Sequence, residues 1–535
     1  MEEKKLDSKN IPSEKFTFVN AGANIHDEKF DTKPIGYFRD AFRRFRKNKG
    51  SVVAAIIILL LLVFALFVPI FSGDVARNEM VPYYAKMGPR TTWGYNIGLN
   101  GSTNRQQNEL LIMKYAGVGV AAEYRYNEET GEETIPTFEQ GLKSYYNPVI
   151  KYKNKQTVQQ GPTNTAIMYD ASIDTYLAVG FIYKELDYSQ YSALLEWQNS
   201  TGIQVMYPMI DTQSEYFPDR FVEMDANYWY KASNKRTSKA APLDAEGHIQ
   251  HLDAENLVFI DNYLRKDGKV QFYTRVGGGD ELTASYKVRV LYYNYYRYIY
   301  GTEPNYIFGT DVQGYDMAYR MATGMRLSFA LAVLVSVINF VIGAIYGAVE
   351  GYYGGAIDLI LERISDILVE VPFIVVATLF QLHLSAKVGP FPSLLFAFVM
   401  TGWIGTAARV RSQFYRFKNS EYVLAARTLG ASDVRIMWKH IFPNTLGTII
   451  TSSVLVIPGV IFSESMLSYL GIVNLGTSKS TSLGTLLSEA NTLWIEYPHL
   501  LFFPAIVISL LMICFNLFGN GLRDAFNPTL RGADE

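Results

Sequence analysis

Six apolar stretches, spaced unevenly along 535 residues, constrain this fold more than any other feature of the sequence. About 20 consecutive apolar residues are needed to cross the hydrocarbon core of a bilayer, and each stretch approaches or exceeds that length. Since a chain in lipid must satisfy its backbone polar groups internally, the stretches predict helices. They cover 51–72, 327–349, 367–386, 388–408, 444–463 and 498–522. The sequence therefore predicts an all-α polytopic membrane protein with six transmembrane helices.

Basic residues beside the spans predict the orientation of the chain, because lysine and arginine concentrate in cytoplasmic loops. One basic group precedes the first span, and a second lies at 409–439, between the fourth and fifth spans. With six spans both groups fall on the same side, together with the C-terminal segment. The first basic group consists of Arg39, Arg43, Arg44, Arg46, Lys47 and Lys49. We therefore expect residues 1–50 and 524–535 to be cytoplasmic at the plasma membrane.

The first apolar stretch, 51–72, invites comparison with a signal peptide. It follows 49 hydrophilic residues and lacks a small-x-small cleavage site. We therefore predict a retained transmembrane helix 1, which places the next segment, 73–322, outside the cell. That segment is polar and rich in tyrosine, with seven tyrosines in the 15 residues of 286–300. Alternating apolar residues predict strands, and hence a mixed α/β extracellular domain inserted between helices 1 and 2.

The chemistry of the inserted domain is less distinctive than its composition. Its tyrosines suit strands and a core, and they equally suit a binding surface. His248 and His251, with Asp253 nearby, are spaced too loosely to indicate a metal site, so surface histidines are the favoured interpretation. The single cysteine, Cys514, lies in an apolar run, so an intrachain disulfide is impossible. A domain of about 250 residues buries enough core without one.

Catalysis and nucleic-acid binding both lack a sequence signature. The chain carries 49 basic and 51 acidic residues, so no overall field attracts nucleic acid. Neither a nucleophile–base arrangement nor a paired-carboxylate motif stands out, and the GxxxxGK[ST] phosphate-binding loop is absent from the sequence. We expect a non-catalytic chain that binds neither a cofactor nor a metal.

Four glycines recur at four-residue spacing from the end of the second span. They are Gly343, Gly347, Gly351 and Gly355. Four residues nearly complete a helical turn, so the glycines line one face and form a groove. In lipid such a groove allows two helices to approach closely. A fixed packing seam is the favoured interpretation, with a moving interface as the alternative.

Charged residues near or inside the spans mark polar contacts. Five of them open the third span: Asp358, Glu362, Arg363, Asp366 and Glu370. Near a cytoplasmic end these side chains are expected to reach water or to pair along the helix, Glu362 with Asp366 and Arg363 as its neighbours. Glu464 is different, because it lies late in an otherwise uncharged run. It is expected to face the bundle interior, as a structural hydrogen-bonding group or as a polar group of the pathway.

A charged segment, 420–443, separates the fourth and fifth spans. Ser420 is placed to cap a short helix that Gly430 ends, and Ser432 to cap a second one that stops at Pro443. Ala425 and Ala426 give the first helix a face of small residues. A solvated basic loop needs neither two caps nor such a face. We therefore predict a docking element that a partner protein grips.

The same segment resembles the EAA motif of binding-protein-dependent ABC importer permeases. Ala425, Ala426, Gly430 and Pro443 stand at the spacing of that motif, and Leu424 occupies the usual glutamate position. Segment 308–328 resembles the signature GTDxxGRDxxSRxxxGxRxS, with Tyr315 in place of an arginine. "FRRFRKNKGS", "FPNTLGTII" and "SESMLSYLG" extend the resemblance to the C-type permease subunit of oligopeptide and dipeptide importers. It covers 37–72 and 305–532, and the inserted domain lies outside it.

This resemblance implies a type I ABC importer permease fold, with a transmembrane domain at 323–523 and coupling helices at 412–443. It implies that the protein forms a channel with a second, B-type permease subunit. Two cytoplasmic ATPase subunits binding ATP and magnesium would drive transport, and an extracellular substrate-binding protein would deliver peptide. The residues that it assigns to ATPase coupling are Glu421, Ala425, Ala426, Arg427, Gly430, Ala431, Asp433 and Pro443.

Three alternatives stay open at this stage. Members of the same family also move nickel, glutathione and other small solutes. A secondary transporter is disfavoured because the sequence has no convincing repeat and only Glu464 as a clear ionisable residue in mid-span. A membrane-anchored receptor is disfavoured because the chain has only a short tail to carry an output domain.

Overall fold

The computed structural model describes residues 37–71, 79–127, 130–134, 136, 138–159, 165–211, 263–277, 279–476 and 481–526. The histidine pair at His248 and His251, with Asp253, lies outside these ranges. Within them there is no group of three or more metal-binding side chains that could hold an ion. The described residues form a helical membrane half and an inserted α/β domain.

Two helices begin the described chain and meet at a corner. Helix α1 (Tyr37–Lys47) is amphipathic, and α2 (Lys49–Phe71) is apolar and long enough to cross a membrane. Asn48 forms the corner: its N–H donates to the Phe45 carbonyl, and its side chain accepts from the Ser51 N–H at 3.2 Å. The predicted first span at 51–72 agrees with α2 to within two residues.

Two antiparallel sheets organise the inserted domain. The first has the strand order β1-β5-β4, and in the second β11 lies between β10 and β6 and also pairs with the short β7. Two-stranded ribbons, β2–β3 and β8–β9, flank the sheets. The strands are β1 (Ser102–Asn108), β2 (Arg125–Tyr126), β3 (Glu133–Thr134), β4 (Val149–Gln159), β5 (Thr165–Asp174), β6 (Phe181–Leu186), β7 (Met206–Tyr207), β8 (Arg265–Lys266), β9 (Lys269–Val270), β10 (Tyr273–Val276) and β11 (Ser285–Leu291).

Five α-helices belong to the described residues of the inserted domain, and two hydrophobic clusters form the core of this described part. The helices are α3 (Glu109–Ala122), α4 (Phe138–Lys143), α5 (Thr175–Ala178), α6 (Tyr188–Thr201) and α7 (Tyr292–Tyr300). The tyrosine-rich segment 286–300 is strand β11 followed by helix α7. Most of its tyrosines are buried, namely Tyr286, Tyr292, Tyr293, Tyr295 and Tyr296. The core interpretation therefore holds for these five tyrosines, which are not available to a binding surface.

A buried ion pair joins the end of strand β5 to the segment that precedes β1. The Arg90 Nη1 atom is 2.6 Å from the Asp174 Oδ2 atom, and Nη2 donates to the Tyr293 Oη at 3.2 Å. The guanidinium also lies 5.3 Å from the ring centres of Tyr176 and Tyr293. Burial raises the pKa of the Asp174 carboxyl, and the Arg90 charge opposes that shift. A partner for each charge is what allows both groups to stay in the core.

The membrane half continues with eleven helices among the described residues. They are α8 (Met317–Tyr353), α9 (Gly355–Val369), α10 (Phe373–Val388), α11 (Pro390–Gly402), α12 (Ile404–Phe417), α13 (Glu421–Thr428), α14 (Asp433–Arg435), α15 (Phe442–Val454), α16 (Val456–Tyr469), α17 (Leu483–Ala490) and α18 (Pro498–Phe526). A π-helical segment, Ile436–Ile441, joins α14 to α15.

In the part of the chain that the structure describes, five helical stretches are long and apolar enough to cross a membrane, or six when a bent pair is counted as one span. That pair is α9 with α10, which meet at an angle of 73°. The bend coincides with Pro372, before which an extended conformation is favoured. Helix α8 packs against α2, α12 and α16. The apolar cluster at the core of the bundle combines side chains of α2, α8, α10, α11, α16 and α18.

Candidate functional site

The docking segment at 420–443 begins with helix α13, whose first turn carries the acidic Glu421. Ser420 and Ser432 occupy the N-cap positions with extended backbone, but neither side chain caps its helix. The Ser420 hydroxyl instead donates to the Phe417 carbonyl at the end of α12, at 2.6 Å. The predicted side-chain caps are therefore wrong, although the helix starts are where those caps were expected.

Gly430 turns the chain between the two short helices. Its φ is +82°, a left-handed conformation that glycine adopts without the steric cost of a Cβ. The Gly430 N–H donates to the Arg427 carbonyl, and the Ala431 N–H donates to the Ala426 carbonyl, both at 3.0 Å. A Cβ at Gly430 would meet no atom within 4 Å. Backbone conformation, and not lack of space, therefore explains the glycine.

Pro443 does not end the second helix, which corrects the sequence prediction. It lies in the first turn of α15, and a single helical stretch, Asp433–Tyr469, runs from the docking segment through the fifth span. The preceding turn is π-helical, Ile436–Ile441. Because the wider π turn relaxes the usual hydrogen-bond pattern, it accommodates the missing N–H and the ring of proline.

The inner face of the docking segment is apolar. Val423, Ile436, Met437 and Ile441 are buried in one cluster. The same cluster includes side chains from the ends of α8 and α12, namely Tyr352, Val410 and Phe414. The segment is thereby packed onto two long helices of the bundle.

A polar contact at Tyr352 reinforces this packing. The Tyr352 hydroxyl donates to the Asp433 Oδ1 at 2.5 Å, and the Arg427 Nη2 donates to the Tyr352 oxygen at 3.3 Å. The Arg427 guanidinium lies 5.8 Å from the Tyr352 ring centre. One side chain at the end of α8 therefore contacts both short helices. Tyr352 carries no local sequence signal that would have predicted this role, because nothing distinguishes it from its neighbour Tyr353.

The outer face of the docking segment exposes large apolar side chains among polar ones. Leu429 is 88% exposed and Val434 60% exposed, and Leu424 and Trp438 are also exposed. We call these four side chains the apolar crest. Of the residues assigned to ATPase coupling, Glu421, Ala425, Arg427, Gly430, Asp433 and Pro443 are exposed, while Ala426 and Ala431 are half-buried. The predicted coupling residues thus lie on a surface that a partner can reach.

The glycine seam brings α8 against α12. A Cβ at Gly343 would lie 2.7 Å from the Trp403 carbonyl oxygen, and one at Gly351 would lie 2.7 Å from the Arg411 carbonyl oxygen. At Gly347 it would overlap the Ala407 carbonyl oxygen. Gly355 is not in this seam, which corrects the sequence prediction: α8 ends at Tyr353, and Gly355, with φ +58°, opens α9 in open space.

Arg411, on α12, ties that helix to α9. Its Nε is 2.6 Å from the Asp358 Oδ1 atom, and its Nη1 is 2.9 Å from the Glu362 Oε1 atom. Along α9 itself, Arg363 pairs with Asp366 at 2.8 Å. The expectation that Glu362 pairs with its helix neighbours is therefore wrong, because Glu362 pairs with Arg411 of a separate helix.

Glu464 is fully buried inside the bundle. The hydroxyl of Ser328, on α8, donates to Oε2 at 3.0 Å, and the hydroxyl of Ser468 donates to Oε1 at 3.1 Å. Its position is in the interior, where a carboxyl needs such donors. Hydroxyl donors from two helices make it a cross-link between α8 and α16.

Segment 308–328 connects the inserted domain to the bundle. The Arg320 Nε lies 2.8 Å from the Asp311 Oδ2, and both side chains are buried. Asp311 also accepts the N–H groups of Gln313 and Tyr315, at 2.9 and 2.8 Å, which shapes the turn before α8. The Tyr315 ring centre lies 5.1 Å from the Arg320 guanidinium.

A second junction links the inserted domain to the start of α18. The Arg105 Nη1 is 2.7 Å from the Glu496 Oε1, and its guanidinium lies 5.0 Å from the Tyr497 ring centre. The His499 ring nitrogen Nε2 is 3.2 Å from the Thr310 carbonyl oxygen. The domain therefore contacts the bundle at the beginnings of both α8 and α18.

Two family models match separate parts of the chain. Residues 342–532 match the family described as binding-protein-dependent transport system inner membrane component. Residues 36–89 match the N-terminal TM domain of oligopeptide transport permease C. The two matches enclose the inserted domain, most of which belongs to neither.

Three similar proteins come from two bacteria. The oligopeptide transport system permease protein OppC of Bacillus subtilis is 44% identical over 34% of this chain and 57% of its own length. The dipeptide transport system permease protein DppC of the same species is 42% identical over 34% of this chain and 55% of its own. OppC of Haemophilus influenzae is 39% identical over 42% of this chain and 71% of its own. The chain thus spans little more than half of the two Bacillus relatives.

Proposed function

Because the chain belongs to the family of inner-membrane components of binding-protein-dependent transport systems, we propose that it is the C-type permease subunit of an ABC importer for oligopeptides or dipeptides. Its membrane half has the type I ABC importer permease fold, with five or six apolar spanning helices. The similar proteins are named as oligopeptide and dipeptide permeases, which supports the peptide class of substrate.

The apolar crest of the docking segment is the observation that carries this proposal. A soluble surface gains little from exposing Leu429 and Val434, whereas a partner groove buries them at a gain of about 25 cal/mol per Å² of apolar surface. We propose that a cytoplasmic ATPase subunit supplies that groove. The segments 37–47 and 420–443 then lie in the cytoplasm, and the inserted domain lies outside the cell.

Coupling follows from the connections of the docking segment. Movement of an ATPase groove on binding ATP displaces α13 and α14. The continuous stretch Asp433–Tyr469 carries that displacement into the fifth span, and the Tyr352 contact carries it into α8. Only contacts that differ between the inward-facing and outward-facing states drive such a change. ATP and magnesium bind to the partner chains, and the docking segment of this chain transmits the motion to the bundle.

Glu464 supports the bundle in this mechanism. Its hydrogen bonds to Ser328 and Ser468 link α8 to α16, which is the far end of the stretch that begins at the docking segment. We propose that it keeps these helices in register while the pathway opens. Its burial favours this structural role over direct contact with the peptide.

The inserted domain braces the outer mouth of the channel in this proposal. Its contacts to the start of α8, through Asp311 and Arg320, and to the start of α18, through Arg105 and Glu496, support that role. The exposed Trp93 and Ile97 offer a dock for the substrate-binding protein. A dock of ordinary size would cover roughly 800 Å² of each partner.

The test of coupling replaces Leu429 by Asp. This variant should assemble in the membrane but lose the ATPase subunits on purification, because a carboxylate cannot enter an apolar groove without a large desolvation cost. Leu282→Asp, at a residue 72% exposed in the inserted domain, is the matched control and should keep them. Retention of the ATPase subunits by the Leu429 variant at wild-type level would refute docking through the crest.

The test of substrate measures ATP-dependent uptake of a labelled peptide into vesicles that contain the complex. Unlabelled dipeptides and oligopeptides should compete, whereas nickel ions and glutathione should not. Competition by glutathione or nickel alone would assign the importer to the alternative substrates.

The test of the inserted domain replaces residues 102–300 by a flexible linker. The flanking layer is kept, because the Arg90 N–H donates to the Tyr306 carbonyl at 2.9 Å and the Lys86 N–H to the Asp311 carbonyl at 2.8 Å. Failed assembly with the second permease subunit would support bracing. Intact assembly with a raised requirement for binding protein would support docking. Unchanged assembly and uptake would refute both roles.

A further inference from the structure

Helix α1 places an arc of arginines beside an exposed phenylalanine, and coupling uses neither. Ala41 and Phe45 are buried, whereas Phe42 is 63% exposed. Around an ideal helix Phe42 lies about 100° from Ala41, and Arg46, Arg39 and Arg43 follow at about 140°, 160° and 200°. All three arginines are exposed. The helix thus has a buried face, an apolar flank and a cationic arc, in that order. The single acid of the helix, Asp40, pairs with Arg44 and not with the arc.

This order of faces is typical of a helix that lies in a membrane interface. Helix α2 begins at Lys49, two residues after α1 ends, and enters its apolar run at Ser51. The corner therefore holds α1 close to the level of the lipid headgroups. At that level an exposed phenyl ring reaches the acyl boundary, and arginines reach phosphate groups.

We propose that α1 binds anionic lipid headgroups of the cytoplasmic leaflet, and that this contact sets the position of the last spanning helix, α18. The proposal rests on the orientation given under the proposed function. Charge complementarity selects the occupant: three exposed arginines next to an exposed phenyl ring fit a negatively charged lipid surface.

Helix α18 is the element that senses the contact, because its end is packed closely against the corner. The rings of Phe45 and Phe518 meet edge to face with centres 5.5 Å apart. The Ser51 hydroxyl donates to the Leu517 carbonyl at 2.9 Å. A Cβ at Gly521 would overlap the Ser51 side chain. Movement of α1 toward or away from the bilayer therefore moves the end of α18.

The first experiment measures peptide uptake by the whole importer complex in vesicles. Phosphatidylcholine vesicles are compared with vesicles that contain about 30% phosphatidylglycerol, in which wild-type uptake should rise about threefold. The variant R39Q/R43Q/R46Q should lose most of this rise. The rise should also shrink as salt increases from about 0.1 M to 1 M, since the Debye length falls from about 10 Å to 3 Å.

Lysines of the inserted domain provide the matched control. Lys151, Lys153 and Lys155 are exposed on strand β4, on the opposite side of the membrane in the proposed orientation. K151Q/K153Q/K155Q removes the same charge and should keep the lipid response. An equal response in both triple variants, or no response in the wild type, would overturn the proposal.

The second experiment does not depend on transport. Phe42→Cys is labelled with bimane, and quenching by brominated phosphatidylglycerol is compared with quenching by brominated phosphatidylcholine. Cys514 is buried, so the unmodified chain is the background. Stronger quenching by the anionic lipid is expected. Equal quenching, or crosslinking of position 42 to an ATPase subunit, would overturn the proposal. Preferential quenching with no peptide uptake in any lipid would support the lipid contact and refute peptide import.

Discussion

The membrane half and the inserted domain pack their elements in opposite ways. At the α8–α12 contact the packing residues are glycines, and the backbones approach until a Cβ no longer fits. In the inserted domain the packing residues are tyrosines, whose rings meet at centre distances of 4.9 Å for Tyr84 with Tyr292 and 5.0 Å for Tyr84 with Tyr176. Lipid offers no hydrophobic gain for helix association, so close van der Waals fit decides. In water, large buried aromatic area decides.

This contrast teaches that the two halves respond differently to a change of volume. A seam of backbone contacts leaves no side chain that can move aside, so even one added methylene group should destabilise the bundle. An aromatic core contains large side chains, and its stability is most sensitive to the loss of a partner from the buried Arg90–Asp174 ion pair that they enclose.

Gly347→Leu should remove the folded permease from the membrane. Its Cβ would overlap the Ala407 carbonyl oxygen, which is backbone and cannot shift alone. The cost should be about 3 kcal/mol or more, at the upper end for overpacking. The amount of protein that survives detergent extraction and size-exclusion chromatography measures it. Gly459→Leu is the matched control, because a Cβ there meets nothing within 4 Å. Normal recovery of both variants would show that the seam tolerates volume.

Gly430→Pro should abolish peptide uptake while the protein stays folded in the membrane. Proline fixes φ near −65° and removes an N–H, whereas Gly430 has φ +82° and donates to Arg427. The protein should stay folded, because the exposed turn is not part of the bundle core. The distorted turn should lower uptake at least about tenfold. Gly430→Asn, which tolerates the left-handed region better, should retain most uptake. Wild-type uptake by the proline variant would refute the coupling role of the turn.

Arg90→Leu should unfold part of the inserted domain and leave the bundle intact. Removing one partner of a buried ion pair costs about 3–5 kcal/mol, because the Asp174 charge is left in the core. Hydrogen exchange of strands β1 and β5 should accelerate, while that of α8 should not. The double variant R90L/D174L should recover protection. Equal exchange in α8 and β5 would mean that the two halves unfold as one unit.

The same variant gives a pH dependence with a definite sign. Burial raises the pKa of Asp174, and the loss of Arg90 removes the charge that opposes this shift. The folded form of the variant then binds the proton more tightly than the unfolded form does. Its stability should therefore decrease as pH rises above the unfolded pKa of about 4 and partly return on acidification. Hydrogen exchange of β5 at several pH values, corrected for intrinsic rates, measures this.

Glu496→Gln should have the smallest effect, because the Arg105–Glu496 pair is partly exposed. Such pairs contribute roughly 0.2–1 kcal/mol, so junction cleavage by a protease should accelerate less than about fivefold. The double variant R105Q/E496Q should behave like the single one. A larger loss of assembly would show that this pair, and not the Asp311–Arg320 pair, holds the domain on the bundle.

Features that depend on local sequence were predictable. Apolar length located the spans, with α18 starting at Pro498 as expected, and the polar composition change located the insertion. The predicted third span, 367–386, lies within the bent pair α9–α10, whose first helix carries charges that a hydropathy pattern excludes. Two of those charges, on Asp358 and Glu362, are paired with Arg411, which lies about 50 residues away along the chain. Contacts of this kind are set by helix packing and leave no local pattern.

The docking segment shows the same limit. Its Gly430 turn follows from turn chemistry, which acts within a few residues. Its short helices begin after Ser420 and Ser432, where the sequence predicts them, although neither side chain caps its helix. The Tyr352 contact and the π-helical passage through Pro443 do not follow from turn chemistry, because both depend on where α8 and α12 stand. The strand pairings of the inserted domain are likewise long-range: β1 pairs with β5, more than 50 residues later.

The position of the inserted domain has a consequence for synthesis. Helix α2 ends at Phe71, and its neighbour α8 begins at Met317, so 245 residues are made between them. At 5–20 residues per second this takes roughly 12–50 s, during which α2 has no bundle to join. Helix α2 is also the most apolar of the candidate spanning helices. The apolar surface of such a helix is sufficient to keep it in the bilayer until α8 and α18 have been synthesised and can pack against it.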